Sequence, residues 1–462
     1  MGRRPRNAQG NRRTPLSKTD KPVSPATRAV LAGRRKEWTG PVVNPPVWRG
    51  STHLYQSEGE RQECLKYNED GRFHYGRRGA PTQWALAEAL TELEPGAYGT
   101  MLYPSGTAAL AGALMSVLEP GDVLLVQDNV YEPTRSIGSS LLKRWGVEAR
   151  FFDPSDFDTY AAAFDDRVKA VMLEVPGSLT MEVCDIPRLA GIAKDHGATV
   201  LVDNTWAAGL GFPALEQGCD ITITSLTKHA GGHSDVLMGC ASAGKAHYAK
   251  LRHTAQLLGQ HVSPDDAALV LRGLRTMGVR LEKQSATALA VAEWLAGRDE
   301  VAHVLAPMLP GTPGHALWQR DFSGGCGLFS FVLKGGDDAA RCRLIDALAL
   351  FGIGYSWGGF ESLALPFDVE PVRDTMPWPK AGWGVEDRHA IRLSIGLEDK
   401  DDLIADLERG FAAFASKARR SLCSSIRRAY STTPSAAWSA PWCMPLGAAP
   451  KTPTPFFYWS MQ

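Results

Sequence analysis

The chain has 462 residues, 44% of them hydrophobic and 22% charged, which is enough apolar material for a large core and two or three domains. Fifty basic side chains against fifty acidic ones give a formal net charge of zero. No overall field therefore draws nucleic acid or an anionic membrane, and the expected partner is a small molecule or another protein. Eight cysteines, Cys64, Cys184, Cys219, Cys240, Cys326, Cys342, Cys423 and Cys443, include no Cys-x-x-Cys pair, against a disulfide framework or zinc site and for a reducing compartment. No stretch approaches roughly 20 uninterrupted apolar residues, and no apolar run follows the basic N-terminus, so a soluble, cytoplasmic chain is expected.

In chain order, residues 1–40 carry eight Arg and three Lys against only Asp20 and Glu37, a basic arm expected to be poorly ordered. Beyond it, short β-branched runs alternate with longer helical stretches. The runs Val123–Val126, Ala170–Leu173, Thr199–Val202 and Ile221–Thr224 suit buried strands, and Ala108–Leu118 reads as a helix. This alternation is the signature of an α/β architecture, a mostly parallel sheet covered on both faces. From about Leu269 the text is helical through Trp294, with Leu281, Ala288, Val291 and Leu295 on one face, and bridges to a C-terminal domain. That domain is expected to close with an amphipathic helix carrying Leu403, Leu407, Phe411 and Phe414. The last residues, 419–462, have six prolines and no acidic residue from Ser421 onward, end in Phe456-Phe457-Tyr458-Trp459, and read as a disordered tail.

In an open parallel sheet, ligands gather at the carboxyl ends of the strands. Asp203 follows one apolar run and Lys228 follows another, placing a carboxylate and an amine at one sheet edge. Alone, such a pair reads as a salt bridge. The Gly231-Gly232-His233-Ser234-Asp235 turn after Lys228 allows close approach of backbone to a ligand. Upstream, Ser105-Gly106-Thr107 precedes the alanine-rich helix. Ser105 can cap it while the N–H groups at Gly106 and Thr107, with the helix dipole, attract an anion. Such a sequence by itself often only caps a helix. Ser225 and Thr227 offer further hydroxyls, and the combination asks for a phosphorylated cofactor with an aldehyde for Lys228 and a pyridine nitrogen for Asp203.

These segments, with Asn44-Pro45-Pro46-Val47, Tyr75-Gly76-Arg77-Arg78, Asp203-Asn204-Thr205-Trp206, Ser225-Leu226-Thr227-Lys228, Leu271-Arg272-Gly273-Leu274-Arg275-Thr276 and Arg392-Leu393-Ser394-Ile395-Gly396, make the chain resemble the Cys/Met-metabolism family of pyridoxal-phosphate (PLP) enzymes from about Gly40 to Phe414. The resemblance implies the aspartate-aminotransferase-like fold (fold type I), with a large PLP domain at 81–272, a smaller α+β C-terminal domain at 273–418, and a segment 41–80 contacting a neighbouring subunit in a homotetramer of active dimers. It implies pyridoxal 5'-phosphate bound to Lys228 as a Schiff base, Asp203 on the pyridinium nitrogen and Tyr131 stacked on the ring. Gly106, Thr107, Ser225 and Thr227 would hold the phosphate, joined by Tyr75 and Arg77 of the neighbouring subunit. Arg392 would pair with the substrate α-carboxylate, assisted by Ser356 and Trp357. A planar guanidinium grips a carboxylate bidentately and a tyrosine face packs on a flat pyridine, so these roles make physical sense. Tyr131 as a core aromatic and Arg392 as an ordinary ion pair are the plain alternatives.

The family runs γ-synthase, γ-lyase and β-lyase chemistry on one scaffold. The run Glu174-Val175-Pro176-Gly177-Ser178-Leu179-Thr180-Met181-Glu182 resembles the β-lyase version, where γ-active relatives usually carry Pro-Thr-Asn-Pro. Trp357 within Tyr355-Ser356-Trp357-Gly358-Gly359 likewise stands where they commonly place a smaller residue. The resemblance thus implies β-elimination of L-cystathionine to homocysteine, pyruvate and ammonia in methionine biosynthesis. The rivals are a cystathionine γ-synthase or another γ-lyase and, from another class, a PLP-binding regulatory protein.

Overall fold

The apolar runs read from sequence become adjacent strands of one sheet in a computed structural model that describes residues 23–66, 71–369, 373–380, 384 and 387–415. Its strands are β1 (Gly99–Tyr103), β2 (Val123–Gln127), β3 (Glu148–Phe152), β4 (Val168–Glu174), β5 (Thr199–Asp203), β6 (Ile221–Ser225) and β7 (Gly239–Ala243), in the order β1-β7-β6-β5-β4-β2-β3. Strands β2 to β6 are mutually parallel, and β7 runs antiparallel to both β6 and β1. Near-continuous apolar text is what a sheet covered on both faces requires. The period of two along each strand feeds two separate cores. Leu125, Val171, Leu173, Val200 and Val202 enter one, and Leu124, Val126, Ala170, Met172 and Leu201 enter the other, together with Leu110 and Leu114 of the helix Gly106–Met115. By the same parity, Glu174 and Asp203 end their strands on the face that this helix covers.

A second, antiparallel sheet has the order β10-β11-β9-β8, built from β8 (Val301–Leu305), β9 (Leu328–Leu333), β10 (Leu363–Phe367) and β11 (Ala390–Ser394). The helix Lys400–Ala415 buries Leu403, Leu407 and Phe411, with Phe414 packed against the same core. A single helix, Pro264–Ala296, runs about 50 Å at 1.5 Å per residue. It packs against the helix Pro81–Leu93 at the large sheet and against β8 and β9. Ser263 caps it, Pro264 opens it, and Asp265 and Asp266 complement its dipole. It passes unbroken through 272 and 273, the junction drawn from sequence between the two domains.

The basic arm is not disordered throughout, contrary to what its composition leads one to expect. Residues Pro25–Leu31 and Lys36–Thr39 form short helices, and Ala29 and Ala32 are buried in the main core. Arg275 donates to the Ala29 carbonyl at 2.6 Å, and Arg28 donates to the Glu92 carbonyl at 3.2 Å. Two methyl side chains and a pair of guanidinium bonds dock this segment, a signal too weak for composition to register. Residues 1–22 and the tail 419–462 lie outside the described residues. Among the described residues six cysteines are free, no His/Cys/Asp/Glu group could hold a metal ion, and no helix is long and apolar enough to cross a membrane.

Candidate active site

Asp203 ends β5 and is only 8% exposed. Its Oδ1 accepts from the Thr205 backbone N–H and hydroxyl. Burial raises its carboxyl above the usual range, while the Thr205 bonds and the Lys228 charge oppose the rise. Lys228 lies in the turn after β6, closed by Lys228 N–H to Ser225 O, Gly231 N–H to Leu226 O and Gly232 N–H to Lys228 O. That turn is pressed against the long helix at Gly273, where a Cβ would lie 2.2 Å from the Ala230 oxygen and 2.3 Å from the Gly231 oxygen. The glycine of Leu271–Thr276 therefore seats the lysine turn. Arg280, from the same helix, donates to the Gly273 carbonyl at 2.8 Å and lies against the turn at Gly232.

The simple salt bridge is not formed. Lys228 Nζ donates to Ser356 Oγ at 2.7 Å. Burial, and then repulsion from Arg392, push the Lys228 amine down to about 8, with Asp203 pulling the other way. Arg392, on β11, donates through Nη2 to the Ser356 carbonyl at 3.0 Å, so one serine joins the amine to the guanidinium. Ser356 has a φ of +85°, a left-handed conformation that costs a non-glycine residue about 1–3 kcal/mol. The adjacent Trp357 stands with its ring centroid 5.4 Å from Lys228 Nζ and packs edge-on against His229 at 5.3 Å. Tyr131 is 46% exposed, so it is not a core aromatic.

Ser105 caps the helix Gly106–Met115 by accepting from the Ala108 N–H at 3.1 Å. The first N–H groups, at Gly106 and Thr107, have no partner within the helix. A Cβ on Gly106 would lie 2.8 Å from the Ser225 Cβ, and one on Gly239 would lie 2.4 Å from the Ser105 oxygen. Glycine at both positions lets the helix N-terminus meet the end of β6. The Thr227 hydroxyl is engaged with Met238, donating to its carbonyl at 3.2 Å and accepting from its N–H at 3.1 Å. Binding a phosphate through Thr227 requires that proton to be redirected. Tyr75 and Arg77 are not brought to this site within the chain. They line a separate cleft of about 530 Å³ with Trp48, Gln83 and His261, and Arg77 Nη1 donates to the Gln256 carbonyl at 2.6 Å.

An amine, a buried carboxylate, an anion cradle and a guanidinium now converge at one edge of the sheet. The family model for Cys/Met metabolism PLP-dependent enzymes matches residues 26–412. The chain belongs to that family. Cystathionine beta-lyase MetC of Escherichia coli is 41% identical over 389 residues, covering 84% of this chain and 98% of the relative. Cystathionine beta-lyase of Salmonella typhimurium is 41% identical over 397 residues, 85% of this chain and 99% of the relative. A solved structure, cystathionine gamma synthase from Xanthomonas oryzae in complex with aminoacrylate and cysteine, superimposes with a TM-score of 0.77 at 33% identity, covering 85% of this chain and 99% of that one. The fold is therefore that of the PLP-dependent Cys/Met enzymes.

The residues present fit the family's cofactor on structural grounds. The helix N-terminus at Gly106, brought against Ser225 because glycine carries no Cβ, suits an anion such as a phosphate, and a buried Asp203 not ion-paired with Lys228 suits a pyridinium. Other residues at this edge escaped the sequence reading. Glu174 ends β4 beside Asp203, and its Oε2 accepts from the Tyr131 N–H at 2.6 Å. His229 is 1% exposed, and burial pushes its imidazole down to about 3. Asp128 accepts from the N–H groups of Asp374, Thr375 and Met376 and from Arg135, which together hold its carboxyl below the usual range although burial alone would raise it. Arg373 donates to the Asp128 and Ser178 carbonyls and the Thr180 hydroxyl, and Lys380 pairs with Glu182 at 2.7 Å, so this segment clasps the Gly177–Glu182 run. Glu174 was findable as the polar residue closing an apolar run, as Asp203 was. The Asp128 clasp joins positions nearly 250 apart in sequence and leaves no local pattern.

Proposed function

We propose that the protein catalyses β-elimination of L-cystathionine, releasing L-homocysteine, pyruvate and ammonia, as a cytoplasmic enzyme of methionine biosynthesis. The observation that carries this reading is the chain of contacts Lys228–Ser356–Arg392 with Trp357 against it, in a chain 41% identical to two cystathionine beta-lyases and 33% identical to a solved gamma synthase.

Each protein group has a task that its position supports. Lys228 would carry pyridoxal phosphate, Asp203 would hold the ring nitrogen, Tyr131 would lie on the ring, and Gly106, Thr107 and Ser225 would hold the phosphate. When bound, the cofactor supplies an aldehyde for the substrate amine and an electron sink for the α-carbon. Arg392 would grip the substrate α-carboxylate and so set the α-carbon near the Lys228 amine. An amine pushed down to about 8 is partly unprotonated near neutrality and can take the α-proton. Ser356 Oγ accepts from Nζ and holds its remaining lone pair in one direction. The Cβ–S bond then breaks, and Lys228 returns the proton to the departing thiolate. The three-carbon enamine left behind hydrolyses to pyruvate and ammonia. The Trp357 indole narrows the space beside the carboxylate and limits how the sulfur arm lies.

Tyr75 is half exposed, and Tyr75 and Arg77 sit away from Lys228 in their own chain. We assign them to the phosphate of a neighbouring copy, which makes the active unit a dimer, two of which would form the homotetramer that the family resemblance implies. The deciding experiment is to supply purified protein with cystathionine and identify the keto acid and thiol. Pyruvate with homocysteine supports the lyase, and cystathionine formed from cysteine plus an acylated homoserine would establish the synthase instead.

A further inference from the structure

Glu174 takes no part in the steps above, although it ends β4 as Asp203 ends β5. The two are register partners on adjacent parallel strands. Side chains at matching positions point to the same face, with strands about 4.8 Å apart. Two carboxyls held this close, one buried and the other half-buried, do not both carry a charge cheaply. Their surroundings divide the roles. Asp203 receives the Thr205 N–H and hydroxyl and faces the Lys228 amine. Glu174 receives the Tyr131 N–H, and the charged groups acting on it are Asp203 from β5 and Arg373 from the segment after β10. Burial first, and Asp203 second, push the Glu174 carboxyl well above its ordinary range. Burial raises both carboxyls, and the Thr205 bonds and the Lys228 charge counter the rise at Asp203, so Glu174 is the more strongly raised of the two.

The backbone of Glu174 is itself held. Gln127, at the end of β2, donates through Nε2 to the Glu174 carbonyl at 2.9 Å and accepts from the Glu174 N–H at 3.2 Å. A rigid line thus runs from Gln127 through Glu174 to Tyr131. Tyr131 lies four residues beyond the last position of β2 and caps the short helix Glu132–Ser136, its carbonyl accepting from the Thr134 and Arg135 N–H groups, while its own N–H is taken by Glu174. We propose that Glu174 is a positioning residue of the elimination, fixing where the Tyr131 ring stands by accepting from its backbone N–H. This rests on the reading of Tyr131 as the ring-stacking residue and of the chain as an elimination enzyme.

The test uses holoenzyme carrying Glu174→Gln, Glu174→Asp or Glu174→Ala. Pyruvate release is read as kcat and KM, and the visible circular dichroism of the bound cofactor is followed from neutral to alkaline pH. Glutamine keeps a neutral group of the same length with an oxygen for the Tyr131 N–H, so it is expected to retain kcat within about threefold, as loss of no hydrogen bond implies. Aspartate and alanine withdraw the acceptor and are expected to lower kcat about tenfold with little change in KM, and to alter the visible dichroism and its pH midpoint. Wild-type kcat and dichroism in Glu174→Ala would overturn the proposal. So would Glu174→Gln as impaired as Glu174→Ala, or lowered thermal stability in Glu174→Asp and Glu174→Ala with an unchanged cofactor signal, the mark of a purely structural role. A wild-type protein that binds cofactor yet releases no pyruvate from cystathionine defeats the reaction reading, and the dichroism series still decides Glu174.

Discussion

The two sides of the site are held in different ways. On the large-sheet side, Asp203, Glu174 and the Lys228 turn sit at strand ends, in a register set by a ladder buried on both faces. On the small-sheet side, Arg392 lies within a strand, but Ser356 and Trp357 are carried by irregular backbone, one of them in a left-handed conformation. Proton and electron chemistry is thus placed on rigid elements, where small misplacements are costly. Ser356 and Trp357, proposed to lie beside the substrate, are carried by a loop, where one scaffold can change its reaction without disturbing the lysine.

The largest expected effect falls on the rigid side. Lys228→Ala should lower pyruvate release by roughly 10⁴-fold or more, since the same amine takes and returns the proton. Near-normal pyruvate from that variant would break the comparison at its root. On the other side, Arg392→Ala is expected to cost about 10²–10³-fold in kcat/KM, expressed mostly in KM, because a bidentate carboxylate contact made to substrate and transition state alike is uniform binding. A loss confined to kcat would instead place Arg392 in the chemical step.

Ser356→Ala keeps the Cβ and the strained backbone and removes only the hydroxyl. Its expected cost is about tenfold in kcat, the size of one hydrogen bond to the base, with KM nearly unchanged. Steady-state kinetics on the two variants would show whether the loop serves binding, as proposed for Arg392, or also aims the lysine.

A last effect concerns pH and stability and not turnover. His229 is held neutral, with its value lowered from 6.5 to about 3 by burial and then by the charges of Arg280 and Lys228. Between those values the unfolded chain binds a proton that the native imidazole does not. Stability from this group is therefore present above about 6.5 and is lost as pH falls, at up to about 1.4 kcal/mol per pH unit. His229→Phe, which keeps a ring against Trp357, should flatten the urea midpoint of the cofactor-free protein over that acid range. Equal slopes for the two proteins would show that the imidazole is not held neutral by the fold.

Much of this was legible in the sequence for a physical reason. A strand buried on both faces must be written as a short apolar run, so Val123–Val126, Ala170–Leu173, Thr199–Val202 and Ile221–Thr224 announced β2, β4, β5 and β6, and the polar residues closing two of those runs announced Asp203 and the Lys228 turn. Ser105 could be read as the cap of the helix Gly106–Met115 because its hydroxyl precedes an alanine-rich run, and it does cap that helix. The helix of Leu403, Leu407 and Phe411 was equally plain from its spacing.

What only the tertiary structure decided are relations between distant segments. That Lys228 Nζ bonds Ser356 rather than Asp203, that Gly273 seats the lysine turn, and that Asp128 binds three successive N–H groups of 374–376 all join positions with no shared period. The short helix at Pro25–Leu31 was hidden because its burial rests on alanines among arginines. Local periodicity reports which face of an element is dry, and it carries no information about which other element supplies the covering surface. Side-chain chemistry could be named from the sequence, but the pairing of Glu174 with Asp203, and of the amine with the serine, is set by register and packing alone.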